Sequence, residues 1–307
     1  MRAIITLFIS ILSICSAQQR SDPTKFNGGS ILAMAGRNSV AIAIDSRFGL
    51  GMQTISTTSP SANIDEISNS SGNPRITLLP NSNTLLAWTG LYGDGLGFTD
   101  EMSVLLASKL RRAGGMQFDG SKRARMNPSA IAMLMSHLLY RRRNAPYYVE
   151  PVIVGLETVS VEEDCLIERG TDESIQSIID TNAAANLIEY ATTSMTSERR
   201  TQYKTKTIQR PYLCTTDMLG AQSTSQSFVC SGVASRSLHG TAEALWRPNL
   251  EGEELVEICG KAFVSALERD CYSGYGAVVY LIQAKESGDE NEPDVCIVEY
   301  ILSSRND

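Results

Sequence analysis

SILAMAGRNSVAIAID, running from Ser30 to Asp45, is the stretch that decides the fold. Ser30 to Ala35 and Val40 to Asp45 are short apolar runs, and Gly36-Arg37-Asn38-Ser39 between them is turn chemistry, so the segment reads as a β-hairpin. Neither run alternates cleanly with polar residues. Strands of that kind are covered on both faces, which places the hairpin inside a layered structure rather than at its surface.

Outward from the hairpin, Arg75 to Leu79 and Thr84 to Thr89 read as further strands, the second carrying Trp88 and ending at Gly90. A helix is expected from Leu96 to Arg112. A second opens with Asn127 as N-cap and Pro128 at the first helical position, and it aligns Ile131, Leu134, Met135, Leu138 and Leu139 on one stripe. It ends in Arg141-Arg142-Arg143, cations suited to the negative end of a helix dipole and read as a solvated helix end. His137, inside this helix, reads as structural. Pro151 to Leu156 and Leu213 to Met218 follow as strands, then helices from Arg236 to Leu245 and Glu253 to Arg269. The latter has an apolar face of Leu255, Ile258, Cys259, Ala262, Phe263, Ala266 and Leu267. Ala277 to Gln283 and Val295 to Leu302 close the chain as strands. Strands at both ends with two helix pairs between them cannot bury every face in two layers. The expected fold is therefore α+β, a four-layer α-β-β-α sandwich.

At 307 residues, with 42% hydrophobic and 20% charged residues, the chain can bury a sizeable core and is neither fibrous nor wholly disordered. The formal net charge of −7 argues against phosphate-backbone binding as the main activity, and two histidines leave little for a metal site. No cofactor, nucleic acid or membrane partner is expected. Seven cysteines without a C-x-x-C pair, several inside apolar runs, read as buried thiols rather than a disulfide framework.

Residues 1–25 form a leader: Arg2, the apolar stretch Ala3 to Ile14 and Cys15-Ser16-Ala17 resemble the three regions of a signal peptide. A leader trimmed on assembly and a mistaken start codon are alternatives, so a secretory or plastid-associated route stays open. Residues 26–307 then form one domain with two polar insertions. One covers about 56–73 and holds the sequon Asn69-Ser70-Ser71, and the other covers 162–210.

At Phe26–Gly29 (FNGG), Val40–Arg47 (VAIAIDSR), Pro146–Val152 (PYYVEPV), Leu245–Asn249 (LWRPN) and Leu267–Gly276 (LERDCYSGYG), the sequence resembles the proteasome beta-subunit family, and within it the type-3 members. The resemblance implies a sandwich of the N-terminal nucleophile hydrolase type. It also implies alpha and beta subunits as partners, in stacked seven-membered rings in cytoplasm and nucleus that carry out ubiquitin-dependent and other protein breakdown. Active members attack peptides with an N-terminal threonine whose own amine serves as base. Counting back from Asp45, the family's acidic position, the nucleophile position falls on Gly29, which has no side chain. The supporting lysine aligns with Arg75, which stays protonated and cannot relay a proton. Asp45, Asp270 and Ser273 match acidic and hydroxyl positions, and Ser231-Gly232 matches the loop beside the oxyanion site.

The six positions Gly29, Asp45, Arg75, Ser231, Asp270 and Ser273 therefore read as a vestigial site, with Asp45 and Asp270 retained for folding by capping a turn or pairing with Arg47 or Arg269. Type-3 members are non-catalytic, so the expected role is structural. The competing reading is an active hydrolase that uses Ser30 after cleavage behind Gly29. Alternation along the strand argues against it, because neighbouring side chains point to opposite faces of the sheet.

Overall fold

The computed structural model describes residues 26–27, 29–50, 53–57, 73–80, 82–112, 126–163, 204–270, 272–274, 276–284 and 295–302. The leader, the sequon and nearly all of both expected insertions lie outside them. Packing divides the chain into two compact units, Met1–Glu157 with Gln209–Asp307, and Thr158–Ile208. The layers described below belong to the first.

In chain order the strands are β1 (Phe26–Asn27), β2 (Ser30–Ala35), β3 (Ser39–Asp45), β4 (Arg47–Leu50), β5 (Gln53–Thr57), β6 (Ile76–Leu78) and β7 (Thr84–Gly90), followed by helices α1 (Tyr92–Arg112) and α2 (Pro128–Arg141). Then come β8 (Val149–Glu163), β9 (Lys204–Thr216), β10 (Gln222–Ser225), β11 (Phe228–Gly232), α3 (Ser235–Leu245), α4 (Gly252–Leu267), β12 (Ala277–Ala284) and β13 (Val295–Leu302). One five-stranded sheet has the order β11-β2-β3-β12-β13 and is antiparallel throughout. A second has the order β10-β9-β8-β7-β6, and β1, β4 and β5 form a small third sheet.

The hairpin is as deeply placed as its composition requires, with every residue of β2 and β3 buried. Its two faces serve two cores. Leu32, Met34, Ala41 and Ala43 pack with Leu238 of α3 and with Leu255, Cys259 and Phe263 of α4. Ile31, Ala33, Ile42 and Ile44 meet Leu85, Ala87, Val152 and Val154 of the other sheet. That sheet's outer side, through Leu86, Val149 and Ile153, packs on Phe98 and Met102 of α1 and on Ile131 and Met135 of α2. Packing thus runs from helix pair through two sheets to helix pair.

Several boundaries differ from the sequence expectation. Helix α1 starts at Tyr92, four residues before Leu96, although its first two turns contain Gly93, Gly95 and Gly97, which are poor helix formers. Gly95 is there for space, because a Cβ on it would overlap the Trp88 ring. Strand β9 stops at Thr216 rather than Met218 because Asp217 turns the chain: its Oδ1 accepts the Leu219 and Ala221 amides at 2.9 and 2.7 Å. The short strands β1, β4, β5, β10 and β11 carry no apolar run and have no counterpart in the sequence reading.

Candidate functional site

The candidate residues converge where β2 begins and β3 ends, next to β6, β11 and the turn after α4. Gly29 stands just before β2 at φ +83°, a backbone conformation that side chains disfavour. A Cβ added there would overlap Arg75 Nη1 and Asp45 Oδ1 and lie 2.9 Å from Asp45 Cγ. The space into which a residue 29 side chain would project is therefore filled by an ion pair.

Asp45, the last residue of β3, is fully buried. Its Oδ1 accepts the Ser30 amide at 3.0 Å and Arg75 Nη1 at 2.9 Å, while its Oδ2 has no partner among the described residues. Arg75, with only 2% of its side chain exposed, also donates from Nη2 to the Asp45 carbonyl. Asn73 braces both residues: its Nδ2 donates to the Asp45 carbonyl at 3.3 Å, and its Oδ1 accepts the Arg75 amide at 3.2 Å. Burial raises the Asp45 carboxyl above its ordinary value, against the opposing pull of Arg75 and the Ser30 amide. Asp45 thus pairs with Arg75 and not with Arg47, whose Nε donates to Thr54 Oγ1 at 3.2 Å.

Ser30 points the other way. Like Leu32 and Met34 it lies on the side of β2 facing α3 and α4, where its hydroxyl accepts the Ala234 amide at 3.0 Å just before α3. It also meets Ser273 Oγ at 2.9 Å, and Ser273 donates to Asp270 Oδ2 at 2.9 Å. Asp270 Oδ1 in turn accepts the Tyr272 amide at 3.1 Å. Asp270 and Ser273 therefore hold the turn after α4 to the start of β2 and stand with Ser30 rather than with Asp45. No Asp270 contact with Arg269 takes part.

Ser231 belongs to a third group and lies within strand β11, not in a loop. Its hydroxyl is 2.9 Å from Thr89 Oγ1 and 3.3 Å from Glu150 Oε2. Gly232, at φ +94°, pairs with Ser30 across the sheet, and a Cβ there would overlap the Gly29 carbonyl oxygen. Gly232 thus passes too close to the Gly29 backbone for a side chain of its own, while at Gly29 the space is filled by Arg75 and Asp45.

The six candidate positions resolve into three hydrogen-bonded groups around Gly29, and no group presents a hydroxyl beside the Arg75–Asp45 pair. Asn73, Thr89 and Glu150 complete these groups without having been foreseen. Asn73 sits at the edge of a polar stretch, and Thr89 and Glu150 sit inside strands whose apolar content dominates the sequence signal. Among the described residues no three His, Cys, Asp or Glu side chains come together in a way that could hold a metal ion.

Comparison with known proteins identifies the family. The family described as "Proteasome subunit" matches residues 176–282. A proteasome subunit beta type-3 of Trypanosoma brucei brucei is 31% identical over 258 residues, which is 84% of this chain and 90% of that protein. Similar proteins from Drosophila melanogaster (beta type-3) and Arabidopsis thaliana (beta type-3-A) are 28% and 29% identical, over 84% and 85% of this chain and 91% and 93% of their own. With such identity sustained over most of both sequences, the chain belongs to the proteasome beta-subunit family.

Proposed function

We propose that this chain is a non-catalytic, structural beta subunit of the 20S proteasome core complex, of the type-3 kind. It would serve ubiquitin-dependent and other proteasomal protein breakdown by holding neighbouring subunits in register. The observation that carries the reading is Gly29, whose missing side chain leaves no nucleophile and whose side-chain space is taken by Arg75 and Asp45. On this reading the fold is of the N-terminal nucleophile hydrolase type, and Gly29, Asp45, Arg75, Ser231, Asp270 and Ser273 are a vestigial site kept as scaffold.

The partners are other beta and alpha subunits in stacked seven-membered rings, in cytoplasm and nucleus. Such rings form from heterologous contacts that close, so the subunit's work is done by its surfaces. Residues 26–307 form one beta-type domain with polar insertions at about 56–73 and 162–210, the second overlapping the separately packed unit Thr158–Ile208. Residues 1–25 are a leader or signal-peptide-like segment on the same reading.

The Ser30 hydrolase alternative is disfavoured because that hydroxyl faces α3 and α4 and is already tied to the Ala234 amide and Ser273. Incubating the purified full chain with fluorogenic peptides tests the reading. No turnover is expected, and hydrolysis abolished by Ser30→Ala would overturn it.

A further inference from the structure

At the opposite end of β2 and β3 from Gly29, the sheet finishes in a polar row. Ser39 of β3 pairs with Gln283 of β12, and Gln283 pairs with Cys296 of β13, so the three stand side by side across adjacent strands. Alternation puts them on the side facing α4, in line with Ala41, Leu281 and Val298 of the apolar core. The core pattern therefore breaks at its last row. With Arg37 of the hairpin turn and with Glu251 and Gly252 at the start of α4, the row lines a cleft of about 640 Å³, inside the range of roughly 300–1,000 Å³ typical of small-ligand sites. A Cβ on Gly252 would come 2.8 Å from Gln283 Oε1, so glycine is what lets the helix start sit over the row.

The polar groups of this cleft are not used by the fold. Ser39 is 3% exposed, yet its hydroxyl has no hydrogen-bond partner among the described residues, and neither has the Gln283 side-chain amide. A buried hydroxyl left without a partner is costly, and a bound polar group removes that cost. The side chain of Glu251 does not cap α4, so the first amides of the helix are open. Arg37 and Glu251 stand 3.8 Å apart and are both largely exposed, a loose pair that offers a ligand one cation and one carboxylate. The Cys296 thiol at the end of the row is exposed.

We propose that this cleft is a thiol-modification site, where Cys296 forms a mixed disulfide with a small amino-acid or peptide thiol that carries both an ammonium and a carboxylate. Arg37 and the open amides of α4 receive the carboxylate, Glu251 receives the ammonium, and Ser39 and Gln283 bond the ligand's remaining polar groups. Glu253 and Glu254, in the first turn of α4, oppose a ligand with carboxylates alone, which is why the ammonium belongs to the assignment. The reactant is the symmetrical disulfide of that thiol. The Cys296 thiolate attacks one of its sulfurs, the S–S bond breaks, and the other half leaves as a thiolate that takes up the proton Cys296 lost. Cys296 is oxidised and the released half is reduced, so no other oxidant is needed. The proposal does not depend on the subunit reading, because Gly29 and its neighbours take no part in it.

The test incubates the purified full chain with glutathione disulfide, cystamine or hydroxyethyl disulfide and follows the Cys296 adduct by peptide mapping. Each rate is divided by the rate of the same reagent with the chain unfolded in urea, which cancels the reagent's own reactivity. Glutathione disulfide should then exceed hydroxyethyl disulfide at least about tenfold, the worth of one hydrogen bond to a charged group. Arg37→Gln should cut that preference at least about fivefold and Ser39→Ala at least about twofold. Ser39→Ala should leave the thermal melt unchanged, because its hydroxyl has no partner to lose. Absence of a Cys296 adduct on the folded chain overturns the proposal. Equal normalised rates for the three reagents, a preference for cystamine, or a preference that both variants leave intact would show an exposed thiol only, and each overturns it as well.

Discussion

Replacing Asp45 with alanine isolates the energetics of the Asp45–Arg75 pair, because it removes the carboxylate facing a buried guanidinium. Arg75 is 2% exposed, and its partners at Nη1 and Nη2 are the Asp45 carboxylate and the Asp45 carbonyl. Removing one member of a buried ion pair costs about 3–5 kcal/mol, since the survivor keeps its desolvation penalty without its counter-charge. At about 2–4 °C per kcal/mol for a domain somewhat smaller than this one, the expected fall in Tm is roughly 6–20 °C.

The double variant Asp45→Asn with Arg75→Met separates charge from shape. It removes both charges while retaining similar volumes, and it should recover to within about 1.5 kcal/mol of the parent, because no uncompensated charge stays buried and the Asn Oδ1 can still accept the Ser30 amide. Urea unfolding of the full chain, followed by fluorescence and read at fixed protein concentration, measures both variants. A loss below about 1 kcal/mol for Asp45→Ala would refute the reasoning, since a loss that small characterises a solvent-screened pair.

Other consequences follow from the same geometry. Gly29→Ala should cost about 1–2 kcal/mol from the left-handed backbone alone, and more because its Cβ meets Arg75 and Asp45; a thermal melt with no change in Tm would contradict this. Ser30→Ala deprives the Ala234 amide and Ser273 of a buried partner and should cost about 1–3 kcal/mol, with faster amide exchange at Ala234 as its local signature. Burial pushes the Cys230 thiol up to about 12 and raises Cys214 and Cys259 as well, whereas Cys296 is exposed. Peptide mapping after alkylation at pH 8 should therefore find Cys296 labelled and those three protected until unfolding. Partial burial works to raise the Glu101 carboxyl, but the Tyr147 hydroxyl with Arg142 and Arg141 outweighs it and holds the group below its ordinary value. A depressed carboxylate adds stability above its unfolded pKa of about 4.3 and loses it as pH falls through the folded value, so Glu101→Gln should flatten that acid limb by under about 1 kcal/mol.

The layer order was legible in the sequence because the signals behind it are long and mutually consistent. The doubly apolar hairpin requires cover on both faces, and the helical stripes of α2 and α4 supply two of the outer layers. The small strands were not legible. Strand β11 reads FVCSG, too short to show a period, and its identity comes from pairing with β2, a contact some two hundred residues away along the chain. The start of α1 was hidden by glycines chosen for the Trp88 ring rather than for helix propensity.

At the site, Gly29, Asp45 and Arg75, which the sequence reading grouped together, do meet in space, although a polar stretch intervenes before Arg75. What that grouping could not give was which hydroxyl joins which carboxylate. Asp45 finds Arg75 instead of Arg47, and Asp270 finds Ser30 through Ser273, because those choices depend on how the ends of four strands meet in space.

The most direct test of the structural-subunit account is mild affinity purification of the tagged full chain from its own cells, with intact-mass measurement of its partners and of its N-terminus. The account predicts alpha and beta proteasome subunits in equal amounts with this chain, and an N-terminus upstream of Gly29. A lone protein beginning at Ser30 would contradict it.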